Sequence, residues 1–149
     1  MKTWNIDSER AMLDLGERLG ERLQPGDLLF LSGDLGAGKT TLTKGIAQGL
    51  EVTAAVTSPT FQLRKGYAGR IRLNHLDLYR LEKPSELAML EPDELFEEGV
   101  TVVEWGDLLK ANFPHDHLDV AIEYGPAEGE RRVTLRPAGQ RFDDLIKEL

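Results

Sequence analysis

One stretch, Gly33 to Thr40, combines the residue types and the spacing of a loop that binds phosphate. It matches the pattern G-x-x-x-x-G-K-[ST], with Gly33, Gly38, Lys39 and Thr40 at the fixed positions. Glycines permit backbone angles and a close approach that a Cβ would obstruct, so successive amides can converge on phosphate oxygens. In such loops the lysine reaches the β- and γ-phosphates and the hydroxyl binds Mg²⁺. The stretch therefore predicts that the chain binds a nucleoside triphosphate.

The residues on either side of this loop favour the same interpretation. Asp27–Ser32 is a short apolar run that predicts a buried strand. After the loop, Leu42, Ile46 and Leu50 recur every four residues and predict one face of a helix. A strand before the loop and a helix after it are the context that the pattern requires, so a chance glycine turn is disfavoured.

Composition limits the remaining possibilities. The chain has 149 residues, which predicts one domain spanning 1–149. It contains no cysteine, which excludes disulfides, thiolate metal sites and cysteine nucleophiles. No apolar run approaches membrane-spanning length and the N-terminus lacks an apolar signal segment, so we expect a cytoplasmic protein without membrane contact. The net charge of −8 opposes non-specific binding of nucleic acid.

Two acidic residues compete for the role beside the metal. Asp77 and Glu104 each end a strand-like run, and ligands of doubly wound folds lie at the carboxyl ends of strands. Such an acid holds Mg²⁺ or orients the attacking water, and the alternative for each is a surface ion pair. Trp105 follows Glu104, and for it and Tyr79 packing in the core or at a sheet edge is favoured over a platform on which a base stacks. Position alone does not choose between the two acids.

The loop around Ser58–Phe61 also has two interpretations. Its hydroxyls are typical of an ordinary turn, since Pro59 biases Ser58 to an extended backbone. The functional alternative is a switch loop that responds to the γ-phosphate. Arg80 pairs with Asp77 or reaches a phosphate, and spacing does not decide between these.

Four motifs together resemble the TsaE family, also called YjeE, of small bacterial P-loop ATPases. They are Gly33–Thr41 (GDLGAGKTT), Ser58–Phe61 (SPTF), His75–Leu81 (HLDLYRL) and Val103–Gly106 (VEWG). The resemblance runs in order from Leu13 to Gly106, which is most of the chain. The phosphate loop alone is shared by many families, whereas the four motifs with these spacings are specific.

The resemblance implies a role in making threonylcarbamoyladenosine in tRNA. Members of the family bind ATP and Mg²⁺ and dock on the TsaB–TsaD heterodimer, which performs the transfer. Their ATPase activity, weak for the isolated protein, supports repeated turnover of that pair. Contact with tRNA is then indirect, which agrees with an acidic chain.

Matching the motifs residue by residue gives the expected site. The catalytic residues are Lys39, Asp77 and Glu104, and the Mg²⁺ ligands are Thr40 and Glu104. The nucleotide contacts are Glu9, Leu35, Gly36, Ala37, Gly38, Lys39, Thr40, Thr41 and Asp77. The resemblance also implies that Trp105 lies near the active site. In addition, we expect Arg131 or its neighbours to approach the nucleotide.

The expected fold is α/β, a P-loop NTPase fold with a central, largely parallel sheet, antiparallel flanking strands and helices on both faces. Asp27–Ser32 and Val100–Glu104 are the predicted central parallel strands. Before the loop we predict an edge strand at Thr3–Ile6 and a helix that is capped by Asp7 or Ser8 and ends at Pro25-Gly26. After α-helical Leu42–Leu50 come two strands joined by a turn between Arg64 and Asp77, and short helical turns in 83–98. The chain is then predicted to form a hairpin of Leu118–Tyr124 and Arg131–Arg136 and a closing helix at Phe142–Leu149.

Two other functions share a phosphate loop. A small-molecule kinase needs an acceptor pocket and usually an arginine-rich lid, and the chain has no arginine-rich insertion. A GTPase or a non-hydrolysing nucleotide sensor is the other alternative, and no Asn-Lys-x-Asp run for reading guanine occurs in the chain.

Overall fold

The structure, a computed structural model, describes residues 1–34, 36–57 and 63–149. Its strands are β1 (Lys2–Ile6), β2 (Leu28–Gly33), β3 (Arg64–Tyr67), β4 (Leu73–Asp77), β5 (Val100–Glu104), β6 (His117–Tyr124) and β7 (Arg131–Ala138). Its helices are α1 (Glu9–Arg22), α2 (Lys39–Gly49), α3 (Pro84–Leu87), α4 (Pro92–Glu98), α5 (Asp107–Asn112) and α6 (Gln140–Lys147), with a 3₁₀ turn at Ala88–Leu90. Leu35 and the expected switch loop at Ser58–Phe61 lie outside the described residues.

One sheet of seven strands, in the order β1-β7-β6-β2-β5-β4-β3, forms the centre of the fold. The four neighbouring strands β6, β2, β5 and β4 are parallel. At the two sides of this group the pairing is antiparallel, β3 with β4, β7 with β6, and β1 with β7. The predicted mixed α/β architecture with a parallel centre is confirmed. The first strand of the predicted late hairpin is itself a parallel neighbour of β2, which spacing along the chain did not indicate.

Apolar residues form clusters on both faces of the sheet. On one face, α1, α2 and α6 pack against β2, β5, β6 and β7, with Leu19, Leu42 and Ile46 fully buried. On the other face, α3, α4 and α5 cover β2, β4 and β5, with Leu87 fully buried. Helices therefore cover both faces, as expected. Within the described ranges, no helix is long and apolar enough to cross a membrane.

The helix α1 begins where the sequence predicted. Ser8 is the N-cap, and its Oγ accepts a hydrogen bond from the Ala11 amide at 3.1 Å. The Leu23 amide bonds to Gly20 at the C-terminal end, before the Pro25-Gly26 turn.

Four glycines let α1 and α2 pack at backbone distance. A Cβ on Gly16 would lie 2.5 Å from Leu42 O and 2.9 Å from Gly45 Cα, and one on Gly20 would lie 3.0 Å from Gly49 Cα. The contacts advance in the same direction along both helices, so their N-termini lie at the same end of the sheet. The beginning of α1 is thereby held beside the phosphate loop that precedes α2.

We expect Gly45→Ala to destabilise the protein. Its Cβ would lie 2.4 Å from the backbone oxygen of Leu13, so the two helices must separate, at a cost of roughly 1–3 kcal/mol in the free energy of unfolding. Gln48→Ala, at an exposed position of the same helix, is the control for helix propensity. Urea unfolding measures the difference, and stability equal to wild type would contradict the close packing.

Candidate nucleotide site

The phosphate loop joins β2 to α2 through residues that adopt positive φ angles. Gly36 has φ +80° and Gly38, the N-cap of α2, has φ +118°, conformations that favour glycine. Lys39 is the first helical residue, and the Leu42 amide bonds to Gly38 O at 2.9 Å. Ala37 is fully buried between the two glycines. Thr40 and Thr41 follow in the first turn of α2 and are half-buried.

The register of β4 and β5 brings the two candidate acids together. Asp77 lies directly opposite Glu104, and His75 lies opposite Val102. Since side chains alternate along a strand, these residues all face α2 rather than α4. Asp77 is half-buried, and its Oδ1 accepts a hydrogen bond from the Tyr79 amide at 3.1 Å.

Glu104 is buried between two donors. Its Oε2 lies 2.8 Å from Nε2 of His75, and its Oε1 lies 3.5 Å from Nζ of Lys39. Burial by itself raises the pKa of the Glu104 carboxyl. The hydrogen bond and electrostatic attraction of His75, together with the charge of Lys39, outweigh burial and hold that pKa below its ordinary value of 4.5. Glu104 is therefore a carboxylate directed at the lysine of the phosphate loop.

An exposed aromatic pair borders this ion pair. The Trp105 ring lies 5.3 Å from Lys39 Nζ, within cation–π range, and contacts the edge of Tyr79 at 5.1 Å between ring centroids. Trp105 is 55% exposed and Tyr79 is 68% exposed, so neither packs in the core. The backbone of Trp105 has φ +57°, an uncommon conformation for a bulky residue. Such strain concentrates at functional sites.

A second wall of the site comes from distant parts of the chain. A cavity of about 360 Å³ separates the start of α1 from the phosphate loop and from β7. Its lining residues include Glu9, Met12, Gly36, Ala37, Gly38, Thr41 and Arg131. Arg131 donates to Ala37 O at 3.1 Å and to Gly36 O at 3.4 Å, and its guanidinium stacks over Tyr124. Glu9 and Arg131 thus both border the loop, and their contact with nucleotide stays a prediction.

The structure places Asp77 and Glu104 together beside Lys39, and it places Glu9, Thr41 and Arg131 around the cavity on the other side of the loop. Their predicted roles toward nucleotide and metal stay predictions, and His75 is a further residue that sequence reasoning missed. His75 stood in a matched motif, but we assigned it no role. The available signal was alternation, since His75 precedes Asp77 by two residues and shares its face of β4. The strand register supplies what the sequence lacked, which is the identity of the neighbour that His75 reaches.

Oxygen donors suited to Mg²⁺ are available at the site. The Thr40 hydroxyl and the Glu104 carboxylate are hard ligands of the kind that Mg²⁺ prefers. Among the described residues, no group of three or more His, Asp or Glu side chains forms a cage for a metal ion. This set fits Mg²⁺, which usually takes one or two protein ligands and completes its shell with phosphate oxygens and water.

The fold and the site define a mixed α/β protein with a glycine-rich loop and a buried acid–lysine pair at the carboxyl ends of its parallel strands. The model of the family described as threonylcarbamoyl adenosine biosynthesis protein TsaE matches residues 6–133. The chain belongs to the TsaE family.

Individual relatives agree over nearly the whole chain. The tRNA threonylcarbamoyladenosine biosynthesis protein TsaE of Bacillus subtilis (strain 168) is 45% identical, with 99% of this chain and 91% of the relative covered. The protein of the same name from Nostoc sp. (strain PCC 7120) is 41% identical, with 95% and 89% covered. The crystal structure of Bacillus subtilis YdiB superposes with a TM-score of 0.83 at 34% identity, covering 99% of this chain and 92% of that one.

The lowered pKa of Glu104 predicts how the free energy of unfolding depends on pH. As pH falls, the unfolded chain takes up the Glu104 proton before the folded protein does. The contribution of the ionised Glu104 to the free energy of unfolding is therefore complete above its ordinary pKa of 4.5, and it is lost as pH falls through the lower pKa of the folded protein. We expect the free energy of unfolding of wild type minus that of Glu104→Gln to be constant near neutral pH and to decrease in acid.

Urea unfolding of both proteins between about pH 7 and about pH 3.5 measures this difference. Glu128→Gln, at an exposed position in the turn after β6, controls for the loss of a carboxylate. A wild-type advantage that stays constant across the range would contradict a lowered pKa.

Proposed function

We propose that the chain is a Mg²⁺-dependent ATPase with a P-loop NTPase fold that acts in the biosynthesis of threonylcarbamoyladenosine in tRNA. The observation on which this depends most is the 3.5 Å contact between Lys39 and Glu104, at the start of the helix that follows the glycine-rich loop. Membership of a family described by this biosynthesis supplies the pathway. The names of the relatives agree with it.

The phosphate loop is proposed to bind the triphosphate. The amides of Gly36, Ala37 and Gly38 and the first turn of α2 form a positively polarised end that suits phosphate oxygens. Lys39 exchanges its contact with Glu104 for the β- and γ-phosphates. Thr41 borders the cavity of about 360 Å³ between α1 and the loop, and it is proposed to contact the triphosphate at its α-phosphate.

Thr40 and Glu104 are proposed to hold Mg²⁺, which would supply positive charge beside the phosphates. Glu104 is suited to this role because it is a carboxylate whose second oxygen is already occupied by His75. Asp77, beside it on β4, is proposed to orient the attacking water or a water of the metal shell. Lys39 stabilises the terminal phosphate as the bond to it breaks.

Glu9 and Arg131 are proposed to border the nucleoside. Both line the 360 Å³ cavity that opens from the loop, and Arg131 is already fixed to Gly36 and Ala37 carbonyls. A carboxylate in this position accepts hydrogen bonds from a ribose hydroxyl or an exocyclic amine.

Protein partners are proposed to complete the function, namely the TsaB–TsaD heterodimer, with tRNA contacted only through it. The exposed Trp105 lies beside Lys39 and contacts the exposed Tyr79, where an approaching protein surface would bury both rings. Aromatic residues are enriched in protein interfaces. The net charge of −8 agrees with a chain that reaches tRNA through partners.

A small-molecule kinase remains the second candidate because of one observation. A cavity of about 300 Å³ borders Lys39 on the side of α5, and Trp105, Lys110, Thr134 and Arg136 line it. A phosphoryl acceptor would need a space of this kind. The ATPase is favoured because the family is described by a biosynthesis of modified adenosine rather than by phosphorylation.

We expect Lys39→Ala to weaken ATP binding by roughly 10- to 100-fold, since one charge-assisted interaction of roughly 1.5–3 kcal/mol is lost. Lys44→Ala, at an exposed position of the same helix, removes an equal charge away from the loop and serves as the control. Titration of both variants with ATP compares them. Wild-type affinity in Lys39→Ala would overturn the phosphate-loop assignment.

We expect phosphate release from Mg-ATP to be slow with the protein alone and to rise when TsaB and TsaD are added. The measurement follows inorganic phosphate with each protein alone and with all three together. Rapid release that ignores the pair would contradict the partner-dependent ATPase. ATP consumption without phosphate release in the presence of an acceptor would favour the kinase.

A further inference from the structure

His75 is completely buried but uses only one of its two ring nitrogens. Its Nε2 lies 2.8 Å from Oε2 of Glu104, and its Nδ1 has no hydrogen-bond partner among the described residues. A buried polar atom without a partner costs free energy, and most proteins avoid it. A leucine or valine would fill the same position of β4 without that cost. Within the described ranges, the hydrogen bond to Glu104 is the polar contact of His75 that offsets this cost.

The strand register explains how His75 reaches Glu104. His75 lies opposite Val102, one pleat deeper in the sheet than the Asp77–Glu104 pair. Its ring therefore approaches the carboxylate from the apolar core, beneath α2. Lys39 approaches the same carboxylate from the phosphate loop, at Oε1. One oxygen is fixed on the core side, and the other is turned toward the site.

We propose that His75 is a positioning residue that fixes the rotation of the Glu104 carboxylate. With Oε2 held by the ring, Oε1 remains directed at the place where Mg²⁺ and the terminal phosphates would lie. This inference rests on the proposed metal role of Glu104 and assigns His75 no contact with nucleotide or metal. Carboxylates that bind metals are commonly oriented by such a hydrogen bond from a second residue.

Two substitutions of His75 distinguish a residue that positions Glu104 from one that only fills the core, because their side-chain N–H groups lie at different distances from the backbone. The side-chain amide of glutamine places its N–H near the position of Nε2, whereas that of asparagine ends near the position of Nδ1. His75→Gln therefore keeps a donor for Oε2, and His75→Asn leaves it without one. Both variants put a polar amide in the same buried position, so a general destabilisation of the core affects both.

The first measurement is the affinity of Mn²⁺ for the protein bound to a non-hydrolysable ATP analogue, read from the EPR signal of free Mn²⁺. Protein is kept in excess over the analogue. We expect His75→Asn to bind Mn²⁺ about 10-fold more weakly and to lower kcat by about 10- to 100-fold, with His75→Gln within about threefold of wild type. Affinity for the analogue in EDTA is expected to be unchanged in both variants, because the loop contacts do not involve His75.

Two reference variants complete the experiment. Thr101→Val removes a buried hydroxyl that has no hydrogen-bond partner in the part of the chain that the structure describes, on the opposite face of β5, and is expected to keep the wild-type affinity for Mn²⁺. Glu104→Gln tests the proposed metal ligand itself. Weaker binding of Mn²⁺ by Glu104→Gln together with normal binding by His75→Asn would overturn the role of His75 and leave that of Glu104 intact.

The remaining outcomes are equally decisive. Normal binding of Mn²⁺ by Glu104→Gln would overturn the metal role of Glu104 and the inference with it. Equal losses in His75→Gln and His75→Asn would show that the position affects packing rather than the carboxylate, and would also overturn it.

Discussion

The buried negative charge of Glu104 is the constraint around which the site is arranged. A carboxylate that is only 6% exposed is stable only with donors close to it, because its desolvation is otherwise too costly. One donor comes from β4 and the other from the first residue of α2. The same contacts therefore join two neighbouring strands to the phosphate loop. Any ligand that takes Lys39 away must replace its positive charge beside Glu104, which a divalent cation does.

The second constraint is the backbone contact between α1 and α2. Glycines on both helices remove the side chains that would otherwise separate them, so the helices approach more closely than ordinary residues allow. Met12 of α1 then lies against Gly38, with its Cε 3.0 Å from the place where a Cβ would stand. In this way, packing far from the loop determines the wall that contains Glu9. A substitution in the glycines would change both stability and the shape of that cavity.

Exposure and strain meet at Trp105. The chain leaves the buried strand β5 at Glu104 and turns at once through a positive φ, which places the indole at the surface beside Lys39. The next residue is Gly106, and the Phe30 ring packs directly against its backbone. A Cβ at this position would lie 2.4 Å from that ring, so only glycine allows the contact. An aromatic residue that is neither buried nor distant from the site is suited to contact what binds there. This arrangement agrees with a site that a protein partner covers.

Local signals in the sequence determined the elements and the loop. The glycine spacing from Gly33 to Gly38 requires positive φ angles, and the apolar runs on either side specify a strand and a helix. Because these properties depend on neighbours in the chain, they were predictable without a structure. The order and spacing of the four motifs also indicated the family to which the chain belongs. The alternation that put His75 and Asp77 on one face was also present, although it did not say what that face meets.

Only the tertiary structure decided which distant residues meet. Strand order made β4 and β5 neighbours, and their register placed His75 at the oxygen of Glu104 rather than at another residue. Contacts with His75 and Lys39 outweigh burial and hold the pKa of the Glu104 carboxyl below its ordinary value, whereas position alone had left Glu104 equal to Asp77 as a candidate. Residue type favoured a core position for Trp105, which is wrong because residue type indicates average burial and not the backbone turn that exposes the indole beside Lys39. Sequence specifies local conformation, while long-range contacts depend on packing between segments that the chain does not place side by side.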